Sequence, residues 1–83
     1  MRLAIEWSAV CNADVRRIGY RVAERVCMTV VQLAEGRPVR VERVRTDDPR
    51  MLRVVAPGGA ALVTVDAKTR TLLVWRIYAT DLS

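Results

Sequence analysis

The sequence contains no histidine, a single lysine (Lys68), two cysteines and four aromatic residues. Without histidine, no side chain has an ordinary pKa near neutrality, so there is no ready acid–base group. Two isolated cysteines, Cys11 and Cys27, fall short of the roughly four clustered ligands of a structural zinc site. They read as reduced, small apolar residues, and neither a metal nor a cofactor is expected. Gly58-Gly59 has no lysine and helix after it, which excludes a phosphate-binding loop. Asp47 and Asp48, being adjacent, would point apart and suit a turn better than a pair of catalytic carboxylates. The longest uncharged run, Val54–Val65, is interrupted by Pro57, Gly58 and Gly59 and is shorter than the roughly 18–20 residues of a membrane-spanning helix. The opening MRLAIEWS lacks the apolar region and small-residue cleavage site of a secretory signal, so a cytoplasmic location without a membrane partner is expected.

What the chain has in quantity is arginine. Its 83 residues carry a net charge of +5, with a pI near 10.2, and at 52% hydrophobic it has the composition of one foldable domain spanning 1–83. A domain of that size buries only about 60–65% of its unfolded surface, too little to enclose a large active site. Residues 36–53 carry +3 of the charge, and the segments before and after them +1 each. Arg37, Arg40, Arg43, Arg45, Arg50 and Arg53 are therefore candidate nucleic-acid-binding residues. A solvated sheet face explains the same pattern.

Leu3, Ile5 and Trp7 alternate with polar residues, which predicts a strand, and Ser8 can cap a following helix. Cys11, Val15 and Ile18 recur at helical spacing until Gly19, a hinge to a second helix. That helix carries a broad apolar stripe including Val22, Ala23, Val26, Cys27, Val30 and Leu33, and Gly36 and Pro38 stop it. The stripe leaves Met28 and Val31 as a candidate partner-binding margin. Ordinary core packing would place Trp7 and Trp75 inside and leave Tyr20 and Tyr78 half-buried.

From Val39 onward the period is two. Val39 and Val41 alternate with Arg40 and Glu42, and the slip at Val44 marks a bulge or an early strand end. Thr46 to Pro49 is a turn cluster, Met51–Ala56 a strand, and Ala60–Asp66 with Thr71–Tyr78 a hairpin around the polar loop 67–70. The fold class expected is α+β, an N-terminal strand and a two-helix hairpin packed on one face of a mainly antiparallel sheet of four or five strands.

The stretches that build this order also resemble a family. Ile5–Ile18, with Trp7, Ser8, Cys11, Asp14 and Val15, is similar to the opening of RelE/ParE-type toxins of bacterial toxin–antitoxin pairs. Val22–Gly36 resembles the family's second helix, and Leu62–Ile77 its last hairpin, with Asp66, Thr69 and Arg70 at the turn and Arg76 in the final strand. The resemblance implies a cognate antitoxin as partner, with a homodimer or a toxin–antitoxin hetero-oligomer as the assembly. It also implies one of two activities, messenger-RNA cleavage on the ribosome (RelE-like) or inhibition of DNA gyrase (ParE-like). Where the nuclease branch has an aromatic and a catalytic arginine, this chain has Ala60 and Ala61, and where that branch continues into a basic tail it has Tyr78-Ala-Thr-Asp-Leu-Ser. Arg50, Arg53, Arg76 and Tyr78 remain as catalytic candidates. The expectation is thus a toxin acting by binding, with a RelE-like endoribonuclease and a plain basic nucleic-acid-binding module as the alternatives.

Overall fold

The computed structural model describes residues 2–44, 48 and 50–80. The elements follow the order β1 (Ala4–Trp7), α1 (Ala9–Ile18), α2 (Tyr20–Ala34), β2 (Arg40–Arg43), β3 (Leu52–Ala56), β4 (Gly59–Asp66) and β5 (Thr71–Ala79). Gly19 alone joins the helices, at φ 87° and ψ 157°, a backbone state open to glycine and strained for other residues. At the far end of α2, the N–H groups of Gly36 and Arg37 return to the carbonyls of Leu33 and Gln32, at 3.0 and 2.9 Å, and close the last turn.

The five strands form one sheet in the order β1-β5-β4-β3-β2. β2 to β5 are an antiparallel meander, and β1 lies parallel to β5. Ala23, Val26, Val30 and Ala34 of α2 pack against Val54, Ala61, Val63, Leu72, Val74 and Ile77, which supply the inner sheet face. α2 comes so close to β4 that a Cβ on Gly59 would lie 2.7 Å from Val26, 2.8 Å from Val22 and 2.9 Å from the Tyr78 carbonyl oxygen. Only glycine fits there. The buried Ala61 follows from the same close approach.

Between Leu62↔Arg76 and Val63↔Val74 the β4–β5 ladder slips by one residue, leaving Trp75 unpaired in a bulge. The bulge resets the alternation, so that Val74 and Ile77 both reach the core. It also accounts for a departure from expectation, since Trp75 is 42% exposed on the outer face, with its indole N–H donating to Thr64 Oγ1 at 3.0 Å. Trp7 is likewise 42% exposed, because it ends an edge strand while Leu3 and Ile5 pack against the core.

Other elements agree with the periods in the sequence to within a residue or two. The slip at Val44 is a strand end, since β2 stops at Arg43. Asp48 lies in a turn, its carboxylate accepting the Arg50 backbone N–H at 2.9 Å. Thr46, Asp47 and Pro49 lie outside the described residues, as does the candidate Arg45. Ser8 precedes α1, but its hydroxyl makes no capping bond and donates instead to the Trp75 carbonyl at 2.7 Å. Among the described residues, no helix is long and apolar enough to cross a membrane.

Candidate functional site

β1 ends at Trp7, so the second half of β5 loses its neighbouring strand and presents unpaired backbone groups. α1 lies along this gap and satisfies them. The Ser8 N–H donates to the Val74 carbonyl at 2.9 Å, and the Asp14 carboxylate accepts the Ile77 N–H at 3.1 Å. Asp14 is fully buried and also accepts two parallel bonds of 2.9 Å from Arg76, through Nε and Nη2. Hydrogen bonds from Arg76 hold its pKa below the usual carboxylate value, outweighing the upward effect of burial, and the Ile77 N–H adds to the lowering. Arg76, a catalytic candidate from the sequence, is thus the charge partner that fastens α1 to β5.

The outer sheet face carries two cross-strand rows, Glu42–Arg53–Leu62–Arg76 and Arg40–Val55–Ala60–Tyr78. Arg53 and Tyr78 come together there. Arg53 Nε donates to the Tyr78 hydroxyl oxygen at 2.6 Å, and its Nη1 lies 3.5 Å from Glu42. Those two partners raise the guanidinium pKa and hold its charge. Glu42 also meets Arg40 at 3.2 Å. Ala60 lies on this face but is fully buried, with Val55 and Tyr78 as its register neighbours.

The remaining candidates do not converge on Arg53 and Tyr78. Arg50 is bound by Asp48, with Nε–Oδ1 and Nη2–Oδ2 contacts of 3.2 Å each. Arg37 lies 3.8 Å from Glu35. Arg43 pairs in register with Leu52, a residue of the inner face, and so alternates away from Arg40. A hollow of about 380 Å³ on the outer face has Glu6, Asp66 and Arg50 among its lining residues, beside Thr64 and Trp75. With Arg50 engaged by Asp48, its carboxylates make it a poor seat for a phosphodiester. Among the described residues, no three potential metal-ligating side chains gather.

On the opposite side of the molecule, Met28 and Val31 are 57% and 41% exposed and line a second, mainly apolar hollow of about 300 Å³ with Cys27, between Glu24 and Glu35. The residue that pattern reading undervalued is Asp14. Its place on the Cys11–Val15–Ile18 stripe was the available signal, because a carboxylate on a buried stripe needs a cationic partner.

This arrangement of strands and helices defines a known class of fold. A chain in the crystal structure of the toxin–antitoxin complex RelBE2 from Mycobacterium tuberculosis shares it, with a TM-score of 0.71, 14% identity, and 96% of this chain and 100% of that chain covered. The solution structure of the conserved hypothetical protein HP0892 from Helicobacter pylori is similar, with a TM-score of 0.69, 15% identity and 93% of each chain covered. No protein-family model and no curated protein sequence matches the chain. The expected α+β architecture is therefore the observed one, and the structure adds that the N-terminal strand lies parallel at one sheet edge.

Proposed function

We propose that this chain is the toxin component of a toxin–antitoxin pair and acts by binding its target rather than by cutting RNA. The shared fold with a chain of the RelBE2 complex supports the first part. The second part rests on one observation: the cations of the outer sheet face are occupied by groups of this chain, Arg76 by Asp14 and Arg53 by Tyr78 and Glu42. Cleaving a phosphodiester needs several converging cations free to meet the developing charge, and losing even one such donor typically costs about 10²–10³ in rate. An antitoxin segment covering Met28 and Val31 would bury the apolar margin of α2.

Expression of the chain alone is expected to arrest growth, with rescue by the product of an adjoining short reading frame. Purified protein is expected to leave ribosome-bound messenger RNA intact. Inhibition of supercoiling would identify gyrase as the target, and normal supercoiling at saturating protein would exclude it. The Arg53–Tyr78 pair favours the nuclease as a second reading, since a guanidinium and a phenol in contact are fitting groups for phosphoryl chemistry. In that case messenger RNA is cut, and Arg53→Ala and Tyr78→Phe each reduce cleavage at least about 100-fold.

A further inference from the structure

Positive charge is densest between residues 36 and 53 in the sequence, but among the described arginines of that stretch all except Arg43 are engaged by carboxylates. Arg37, Arg40, Arg50 and Arg53 each lie within 4.0 Å of a carboxylate. At the corner between α1 and α2 the balance differs. Arg16, Arg17, Arg21 and Arg25 fall in the ten residues 16–25 around it, with one acid, Glu24, among them, and the Arg25 guanidinium extends to the turn at Gly58. Among the described residues, Arg16, Arg21 and Arg25 have no ion pair, and Arg17 approaches only Asp14, at 3.5 Å, whose carboxylate Arg76 already holds. No acidic residue stands in the first turn of α2 to offset them. Tyr20 lies between Arg17 and Arg21 in the sequence and is 85% exposed, against 57% for Met28 on the same helix.

We propose that the α1–α2 corner binds single-stranded nucleic acid, with Arg16, Arg17, Arg21 and Arg25 facing phosphates and Tyr20 stacking on a base. An exposed ring on a surface with exposed guanidinium groups matches the alternation of base and phosphate along a single strand. A duplex offers no free base face to the ring, and an acidic peptide offers charge without one. The surface lies on a different element from the outer sheet face and holds none of its candidate residues. The proposal therefore does not rest on the toxin reading.

The test is fluorescence anisotropy of the full chain with labelled RNA and DNA strands of about 12 nucleotides, the corresponding duplex and polyglutamate, starting at about 50 mM salt. Single strands are expected to bind, with log K falling against log salt at a slope of about −2 to −3, near −0.7 for each neutralised phosphate. The triple variant Arg16→Ala, Arg21→Ala, Arg25→Ala should bring that slope close to −1. Tyr20→Ala should weaken binding at least about fivefold and leave the slope unchanged. Arg40→Ala serves as the control and should bind as the parent does. Tighter binding of RNA or DNA strands than of duplex bears the proposal out, and the tighter of the two names the strand. It is overturned by no binding at low salt, by an unaltered slope in the triple variant, by an unaltered affinity in Tyr20→Ala, or by duplex or polyglutamate binding as well as single strands. All these side chains are exposed, so an unchanged thermal midpoint will show that the variants are folded.

Discussion

Asp14 gathers donors from 62 and 63 positions away in sequence, two from the Arg76 side chain and one from the Ile77 backbone. Asp14→Asn cannot keep all three, and a loss of about 1.5–3 kcal/mol is expected in denaturant unfolding. The pH dependence has a definite sign. Because the folded-state pKa lies below the ordinary carboxylate value of 3.8, the stabilisation is complete above that value and is lost as pH falls through the lower, folded pKa. The gap in melting temperature between parent and Asp14→Asn should hold steady from about pH 7 to 5 and narrow below about pH 4. A gap that widens in acid would contradict this account. Gly59 offers a second test, since an added methyl would meet a backbone carbonyl as well as two valines. Gly59→Ala should cost about 1–3 kcal/mol, measured in the same unfolding experiment.

At the scale of elements, α2 has two unlike sides. Val26 is wholly buried against the sheet, while Val31 faces solvent beside Met28. Val26→Ala should therefore destabilise by about 2 kcal/mol, and Val31→Lys should stay within about 0.5 kcal/mol of the parent. If, as proposed, an antitoxin covers this margin, Val31→Lys with Met28→Lys should weaken its binding at least about tenfold in a calorimetric titration, and full affinity would move the interface elsewhere. Elements such as α2 were legible in the sequence because burial imposes a period on apolar residues, and glycine marks where each helix ends. The lateral order of strands was not legible from period, since alternation shows which residues share a face but not which strand lies beside which. The β5 bulge was hidden for a related reason: Trp75 and Arg76 are adjacent and both exposed, and without the partner strand this cannot be told from the end of a strand.

For the molecule as a whole, charge was the property least readable from the sequence. Counting arginines pointed to the stretch from residue 36 to 53, whereas the pairing of Arg40, Arg50 and Arg53 with carboxylates depends on register and turns. The candidate site was legible only in part, because Arg53 and Tyr78 meet as neighbouring-row residues of β3 and β5 while Arg76 is committed to Asp14. Both cysteines are unbridged, Cys11 buried as expected and Cys27 only partly so. Burial raises the pKa of Cys27, so it should react slowly with a thiol reagent at neutral pH. The thermal midpoint should be the same with and without reductant, and a lower midpoint in reductant would reveal a disulfide.

The unpaired position in the last hairpin bears on how the chain tolerates a change in length. Since Trp75 is the surplus residue, a chain shortened by that one position would restore a regular ladder and still turn Ile77 inward and Tyr78 outward. Removing Leu73 and Val74 along with it would not be equivalent, because the segment running back to the turn would then lose an inward-facing side chain. The protein thus carries, in the middle of its most central hairpin, one place where a single-residue deletion spares the interior.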